Sequence, residues 1–238
     1  MYIFVAFMET EDYYRSGPSG QVKARLEEAS GEKCLVVPYR EMTMKLVEEL
    51  YPRAIAMSGF GGHFEDRKIE WFYGVDEVMH KADLPMLCFC GSHQLMGFCF
   101  NNDIHKLKVL RDQPMRKLRP DEYWPRRAGD PKCDLSSFLV ADGFLPVRQV
   151  KSDPIFAGLP KTITMREAHY CEVKKLPPGF VLLATSSLCR VEAMRHKTRP
   201  MYGTQFHPES YAEPWFHGKK LLANFAAIVN DFWERKAF

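Results

Sequence analysis

Short apolar runs alternate with segments of helical length along most of this chain. Ile3–Phe7, Lys33–Val37, Ala54–Met57, Met86–Phe89, Phe180–Ala184 and Val191–Met194 each run for four or five residues. Runs this short with so few charges among them read as strands, most of them buried on both faces. Between the early strands, Gln21–Ala29 and Met42–Leu50 carry apolar residues at helical spacing and charges on the opposite side, so both read as helices that cover a sheet. From Gly218 to Arg235, Leu221, Leu222, Phe225, Ile228, Val229 and Phe232 fall along one stripe, which assigns the aromatic residues there to core packing. The alternation predicts a doubly wound sheet, mostly parallel in its first half. No internal repeat and no low-complexity tract interrupts it.

One run ends in chemistry. Pro85-Met86-Leu87-Cys88-Phe89-Cys90-Gly91-Ser92-His93-Gln94 passes from apolar residues through Cys90 into small residues and then into helix-like sequence. A strand, a tight elbow and a helix in that order push one side chain out of the strand end and set it at a helix N-terminus, which suits a nucleophile. A free cysteine after an apolar run is more often a small buried hydrophobe. The second half of the chain changes the balance, because Tyr202-Gly203-Thr204-Gln205-Phe206-His207-Pro208-Glu209 supplies an imidazole and a carboxylate two residues apart with a proline between them. A cysteine needs a base to become a thiolate, and the base needs a group to hold its tautomer. Cys90, His207 and Glu209 form such a set, distant in sequence as residues adjacent only in space are. A third feature is Ser58-Gly59-Phe60-Gly61-Gly62 after the Ala54–Met57 run, where Gly59 and Gly61 let the backbone approach a ligand closely.

The Cys90-x-x-His93-Gln94 elbow, the Gln205–Glu209 run and the Ser58–Gly62 loop together resemble class I glutamine amidotransferase domains. The resemblance runs from the first strand to the final helix and is weakest after Phe100. It implies an α/β fold, a doubly wound, flavodoxin-like, mostly parallel central sheet flanked by helices with a nucleophile elbow, and one domain over residues 1–238. It also implies hydrolysis of the glutamine side-chain amide through a γ-glutamyl thioester, with release of ammonia. In its terms Cys90 attacks, His207 shuttles the proton and Glu209 orients His207. The backbone N–H groups of Phe60 and Gly91 form the oxyanion hole, and Gly59, Gly61, Gln94 and His169 face the substrate. The chain departs from the family pattern at Cys88 and Ser92, which stand where glycines are common, at Phe60, also usually glycine, and at Ala168, usually serine. Phe60 and Ala168 alter the places where glutamine would be read. They lean the reading toward a stand-alone γ-glutamyl hydrolase or an untethered amidotransferase of narrow specificity. A separate synthetase subunit is the partner implied otherwise, and a non-catalytic binding or regulatory protein is the alternative of a different class.

Composition narrows the setting without deciding the chemistry. The 238 residues are 46% hydrophobic, enough for one sizeable core. A net charge of +3 from 33 basic and 30 acidic side chains gives no footprint for nucleic acid or an acidic membrane. Met1–Met8 is too short for a membrane span and lacks a basic flank, so it reads as a strand rather than a leader. Seven cysteines at irregular spacing point to reduced thiols and a cytoplasmic protein. Cys88 and Cys90 do not have zinc-ligand spacing, so neither a metal nor a cofactor is expected. Residues 101–137 form an expected insertion. Nine Lys or Arg against four Asp or Glu lie between Lys106 and Lys132, together with Tyr123-Trp124-Pro125-Arg126-Arg127, and the segment reads as a solvated loop or as a docking or substrate-selecting one.

Overall fold

The computed structural model describes residues 1–8, 17–122 and 137–237, so Tyr123–Arg127 and Cys133 lie outside the described residues. The described strands are β1 (Tyr2–Ala6), β2 (Cys34–Pro38), β3 (Ala54–Met57), β4 (Met86–Phe89), β5 (Ala141–Gln149), β6 (Thr162–His169), β7 (Phe180–Thr185), β8 (Ala193–His196) and β9 (Met201–Thr204). They form one mixed sheet in the order β2-β1-β3-β4-β9-β8-β7-β5-β6. The first five strands in that order pair in parallel. From β9 outward every pairing is antiparallel.

Strands β1, β3, β4 and β9 are buried on both faces, and the side chains of the parallel half alternate between two cores. Ile3, Val5, Ile55, Met57, Met86 and Cys88 point into one. They meet Val47 of α2 (Met44–Leu50), Val75 and Met79 of α3 (Tyr73–Lys81), and Leu95 of α4 (Gly91–Asn101). Tyr2, Phe4, Ala6, Ala54, Ala56, Leu87 and Phe89 point into the other, against Val22 and Leu26 of α1 (Pro18–Ser30) and Leu221, Phe225 and Val229 of α5 (His217–Lys236). This is the doubly wound arrangement, and it explains why β1, β3 and β4 read as unbroken apolar runs rather than as alternating ones. Helix α2 starts two residues later than its apolar pattern suggests. Thr43 caps it by accepting a hydrogen bond from the Leu46 N–H (3.2 Å), which leaves Met42 outside the helix as a buried anchor.

Three strands carry no legible signal in the sequence. Strand β5 contains Pro146, and Gly143 at φ 112°, both unusual within a strand. Strand β6 does alternate, but two of its inward positions are Glu167 and His169 rather than apolar residues. Strand β9, four residues long, contains Gly203, where a Cβ would lie 2.5 Å from His93 Nδ1. The described part of the 101–137 segment is exposed along much of its length, as its charge suggests, yet it is anchored to the fold. Leu110 and Met115 are buried, the Met115 N–H donates to Tyr170 O (2.7 Å), and Pro114 bridges Cys171. Among the described residues no helix is long and apolar enough to cross a membrane.

The tightest backbone crossing tests this packing. A Cβ on Gly74, in the first turn of α3, would lie 2.1 Å from the carbonyl oxygen of Met42. Alanine gains up to about 1 kcal/mol in helix propensity, yet a clash with main chain cannot be relieved by a rotamer change. Gly74→Ala is expected to lose about 3 kcal/mol, read as a fall in Tm of roughly 10 °C. An unchanged or raised Tm would show that the approach of α3 to the Met42 main chain is looser than described.

Candidate active site

The three sequence features converge because three neighbouring parallel strands carry them. Strand β4 lies between β3 and β9. At the carboxyl ends of these strands, β3 leads into Ser58–Gly62, β4 into Cys90, and β9 into Gln205–Glu209. The carboxyl edge of a parallel sheet is where ligands of such folds sit. Cys90 adopts φ 46° and ψ −105°, a conformation that a side chain other than glycine rarely holds. Its N–H donates to Thr204 O on β9 (2.7 Å), and its carbonyl accepts from the Gln94 N–H (2.9 Å) in the first turn of α4. Ser92 explains how the elbow closes without its usual glycine. Its hydroxyl lies 2.8 Å from Met57 O and 3.0 Å from Phe89 O, so the polar group is spent on the turn itself. His93 lies buried beneath the elbow against Val191 O (3.1 Å), and burial lowers its pKa to about 3. It stays neutral and supports the turn.

Around the sulfur stand an imidazole and an amide. The His207 Nδ1–H donates to Glu209 Oε1 (2.7 Å), and the imidazole and Cys90 stand side by side against the Gly59 Cα. Burial opposes the imidazolium, but the Glu209 carboxylate and the Cys90 sulfur together outweigh it and hold the His207 pKa well above that of an ordinary histidine. Gln205 is a contact that the sequence did not single out. Its Nε2–H donates to Cys90 Sγ (3.6 Å), and its Oε1 accepts from Gln94 Nε2 (3.3 Å). Gln94 donates again to Cys171 O (2.9 Å), so its amide is engaged with protein rather than turned to open solvent.

Gly59 sits in the angle between nucleophile and base. A Cβ there would lie 3.0 Å from His207 Cε1 and 3.1 Å from Cys90 Cβ, so any side chain would press on both catalytic groups. Gly61 has open space around its Cα. The Phe60 ring does not project into the cleft. It packs over Gly91, stacks on Phe7 (5.5 Å between centroids) and meets Phe64 edge-on (4.7 Å). The Gly91 N–H is one of the donors that the first turn of α4 leaves unpaired. The loop is tied down from outside by residues that the sequence reading missed. Arg67 donates to Gly61 O (2.8 Å) and His63 O (2.7 Å), while its guanidinium covers the Phe60 ring. Asp112, from the 101–137 segment, accepts from His63 Nδ1 (2.6 Å) and the Phe64 N–H (2.9 Å), and the Tyr170 hydroxyl joins them at 3.0 Å. No local motif announces such a clamp, because its parts come from three separate stretches.

His169 turns both ring nitrogens to partners other than the sulfur. It is buried, with Nδ1 bonded to Cys171 O (2.9 Å) and Nε2 at 3.1 Å from Glu167 Oε2. Glu192 completes this group, and the ligand atoms of the three residues lie within 4.8 Å of one another. Burial raises the Glu167 pKa to about 8 and that of Glu192 well above the usual carboxylate range, and it lowers that of His169. Glu167 and His169, two apart on β6, share its inward face, whereas Glu192 comes from the approach to β8.

The class-I glutamine amidotransferase family profile matches residues 19–229. Among curated relatives, a subunit of the glutamine-hydrolyzing GMP synthase of Pyrococcus furiosus is 49% identical over 156 residues, 65% of each chain. The corresponding protein of Archaeoglobus fulgidus is 33% identical over 150 residues, 63% of this chain and 64% of the other. The chain thus spans just under two thirds of the length of these relatives. In overall fold it is similar to a Thermoplasma acidophilum protein provisionally described as a GMP synthase subunit, with TM-score 0.72 and 24% identity over 100% of this chain and 98% of that one. It is also similar to the glutaminase domain of Trypanosoma brucei CTPS solved with bound acivicin, with TM-score 0.66 and 17% identity over 97% and 94% of the two chains.

Burial pushes the thiol pKa values of Cys34, Cys88, Cys99, Cys171 and Cys189 upward. Limiting iodoacetamide followed by mass spectrometry is therefore expected to label Cys90 before any of these, since the thiolate is the reactive form. Label on Cys34 or Cys171 with Cys90 untouched would contradict an activated sulfur. The His207 pair makes a second prediction. A raised folded-state pKa contributes stability fully below the unfolded value of about 6.5 and loses it as pH rises through the folded value. Glu209→Gln is therefore expected to cost about 2 kcal/mol near pH 6 and less near pH 10, read by denaturant unfolding at both pH values. A cost that grows with pH would reverse the assignment.

Proposed function

Because the chain belongs to the class I glutamine amidotransferase family, we propose that it hydrolyses the side-chain amide of glutamine through a γ-glutamyl thioester and releases ammonia. The Cys90 thiolate attacks the amide carbon, and the developing oxyanion is met by the N–H groups of Phe60 and Gly91. The His207 imidazolium gives its proton to the departing nitrogen. A water molecule then adds to the thioester as His207 takes a proton back, and glutamate leaves with the sulfur free again. Glu209 keeps the imidazole oriented and charged, while Gly59, Gly61 and Gln94 shape the substrate end of the cleft. The observation that carries this reading is the meeting of Cys90, the His207–Glu209 pair and the Gln205 amide where β4 and β9 end side by side.

The relatives, each by name one subunit of a glutamine-hydrolyzing GMP synthase, favour an amidotransferase that passes ammonia to a separate synthetase subunit over a stand-alone γ-glutamyl hydrolase. The setting is cytoplasmic. The clamp on the oxyanion loop by Arg67, Asp112 and Tyr170 supports measurable turnover without a partner, since donors already aimed at the oxyanion supply much of the rate, about 100- to 1,000-fold in kcat for one such donor.

Ammonia and glutamate release from glutamine, measured beside a panel of γ-glutamyl peptides and amides, tests the proposal. Glutamine is expected to be the preferred substrate, Cys90→Ala to abolish turnover, and a nucleotide-amidating synthetase to accelerate it. Cleavage of γ-glutamyl peptides with glutamine ignored would instead establish the stand-alone hydrolase. No turnover of any of them, with or without the synthetase, would leave a binding protein on an enzyme's fold.

A further inference from the structure

Glu167, His169 and Glu192 form a second cluster of chemistry that the hydrolytic steps do not use. All three are at most 3% exposed. Their polar atoms are mostly acceptors without a donor: both carboxylate oxygens of Glu167, one of Glu192, and His169 Nε2 have no hydrogen-bond partner. The His169 tautomer follows from its other nitrogen. Nδ1 lies 2.9 Å from the Cys171 carbonyl oxygen, which can only accept, so Nδ1 carries the proton. In the neutral ring Nε2 then offers a lone pair. Its 3.1 Å approach to Glu167 Oε2 lacks hydrogen-bond geometry, so the pair is not an ordinary buried salt bridge. A histidine whose second nitrogen is bound to a backbone carbonyl, facing carboxylate oxygens, is the arrangement in which imidazole ligates metal.

We propose that Glu167, His169 and Glu192 bind one divalent transition-metal ion of the zinc type. One imidazole nitrogen and two carboxylates suit such an ion, and its two positive charges balance the two carboxylates that burial otherwise disfavours. The Cys90 sulfur is not one of the clustered groups, and the place of the site in the fold gives it a structural role. The Glu192 carbonyl accepts from the Gln205 N–H (2.8 Å), and the Arg166 carbonyl, next to Glu167, accepts from the His207 N–H (2.8 Å). An ion joining β6 to the approach to β8 therefore braces both ends of the Gln205–His207 segment, which carries the amide and the imidazole that reach the nucleophile.

The test uses full-length protein carrying Cys90→Ser, so that zinc held by the catalytic thiol does not confuse the count. After exhaustive dialysis against a chelator, titration with Zn²⁺ and with Mn²⁺ by calorimetry is expected to show one ion bound per chain and a rise in Tm. Both should be lost in the near-isosteric Glu192→Gln protein. Anomalous diffraction at the zinc edge from zinc-soaked crystals should place the peak about 2.0–2.2 Å from His169 Nε2 and the two carboxylates, a readout that stands even where the glutamine variant fails to fold. No binding of either ion, equal binding by Glu192→Gln, or a peak elsewhere would overturn the proposal and leave protons as the cluster's only counter-charge.

Discussion

Cys90 holds φ 46° only because its surroundings leave it no alternative. The strand before it is sealed into the sheet by β3 on one side and β9 on the other, and the helix after it must start at once to cover Met57 and Met86. The Cys90 N–H is bound to Thr204, its carbonyl to the Gln94 N–H, and the Ser92 hydroxyl stitches the turn back to β3 and β4. Strain of about 1–3 kcal/mol persists when packing over-determines it in this way. The turn aims one sulfur out of a sheet whose other side chains at this level are buried, and the cleft is assembled around that point.

Two kinds of acidic environment lie within a few residues of each other. Glu209 is buried, yet it faces an imidazole that its charge helps to keep protonated, so desolvation is offset by a partner. Glu167 and Glu192 face each other and a histidine that burial keeps neutral, and their proton affinity rises accordingly. The same side chain serves as an orienting charge in one place and demands a counter-charge in the other. The difference is set by what stands opposite rather than by depth.

Strands β1 to β4 were readable from residue patterns because they are apolar on both faces, whereas β9 was hidden by Gly203, and the elbow was readable because Cys90 interrupts such a run. His207 and Glu209 were readable as a pair because they share one short segment. Strands β5 and β6 were hidden by Pro146, Gly143, Glu167 and His169, residues that contradict local strand preference and are accommodated by tertiary pairing. The folded character of residues 110–118 was masked by their charge, since Leu110 and Met115 are too few to form a period. Asp112 and Arg67, which hold the oxyanion loop, are single polar residues in unremarkable surroundings. Only the three-dimensional arrangement shows what they reach.

The Phe60 ring against Gly91 makes the two positions historically dependent on each other. A Cβ at 91 would lie 2.6 Å from Phe60 Cδ1, so a side chain on the elbow requires the aromatic ring to shift. A lineage that gains the ring while glycine is present raises the cost of change at position 91, because the ring must then move out of its packing against Phe7 and Phe64. Substitutions here are therefore not interchangeable in order: a residue larger than glycine at 91 is accommodated most readily once the ring at 60 has been replaced.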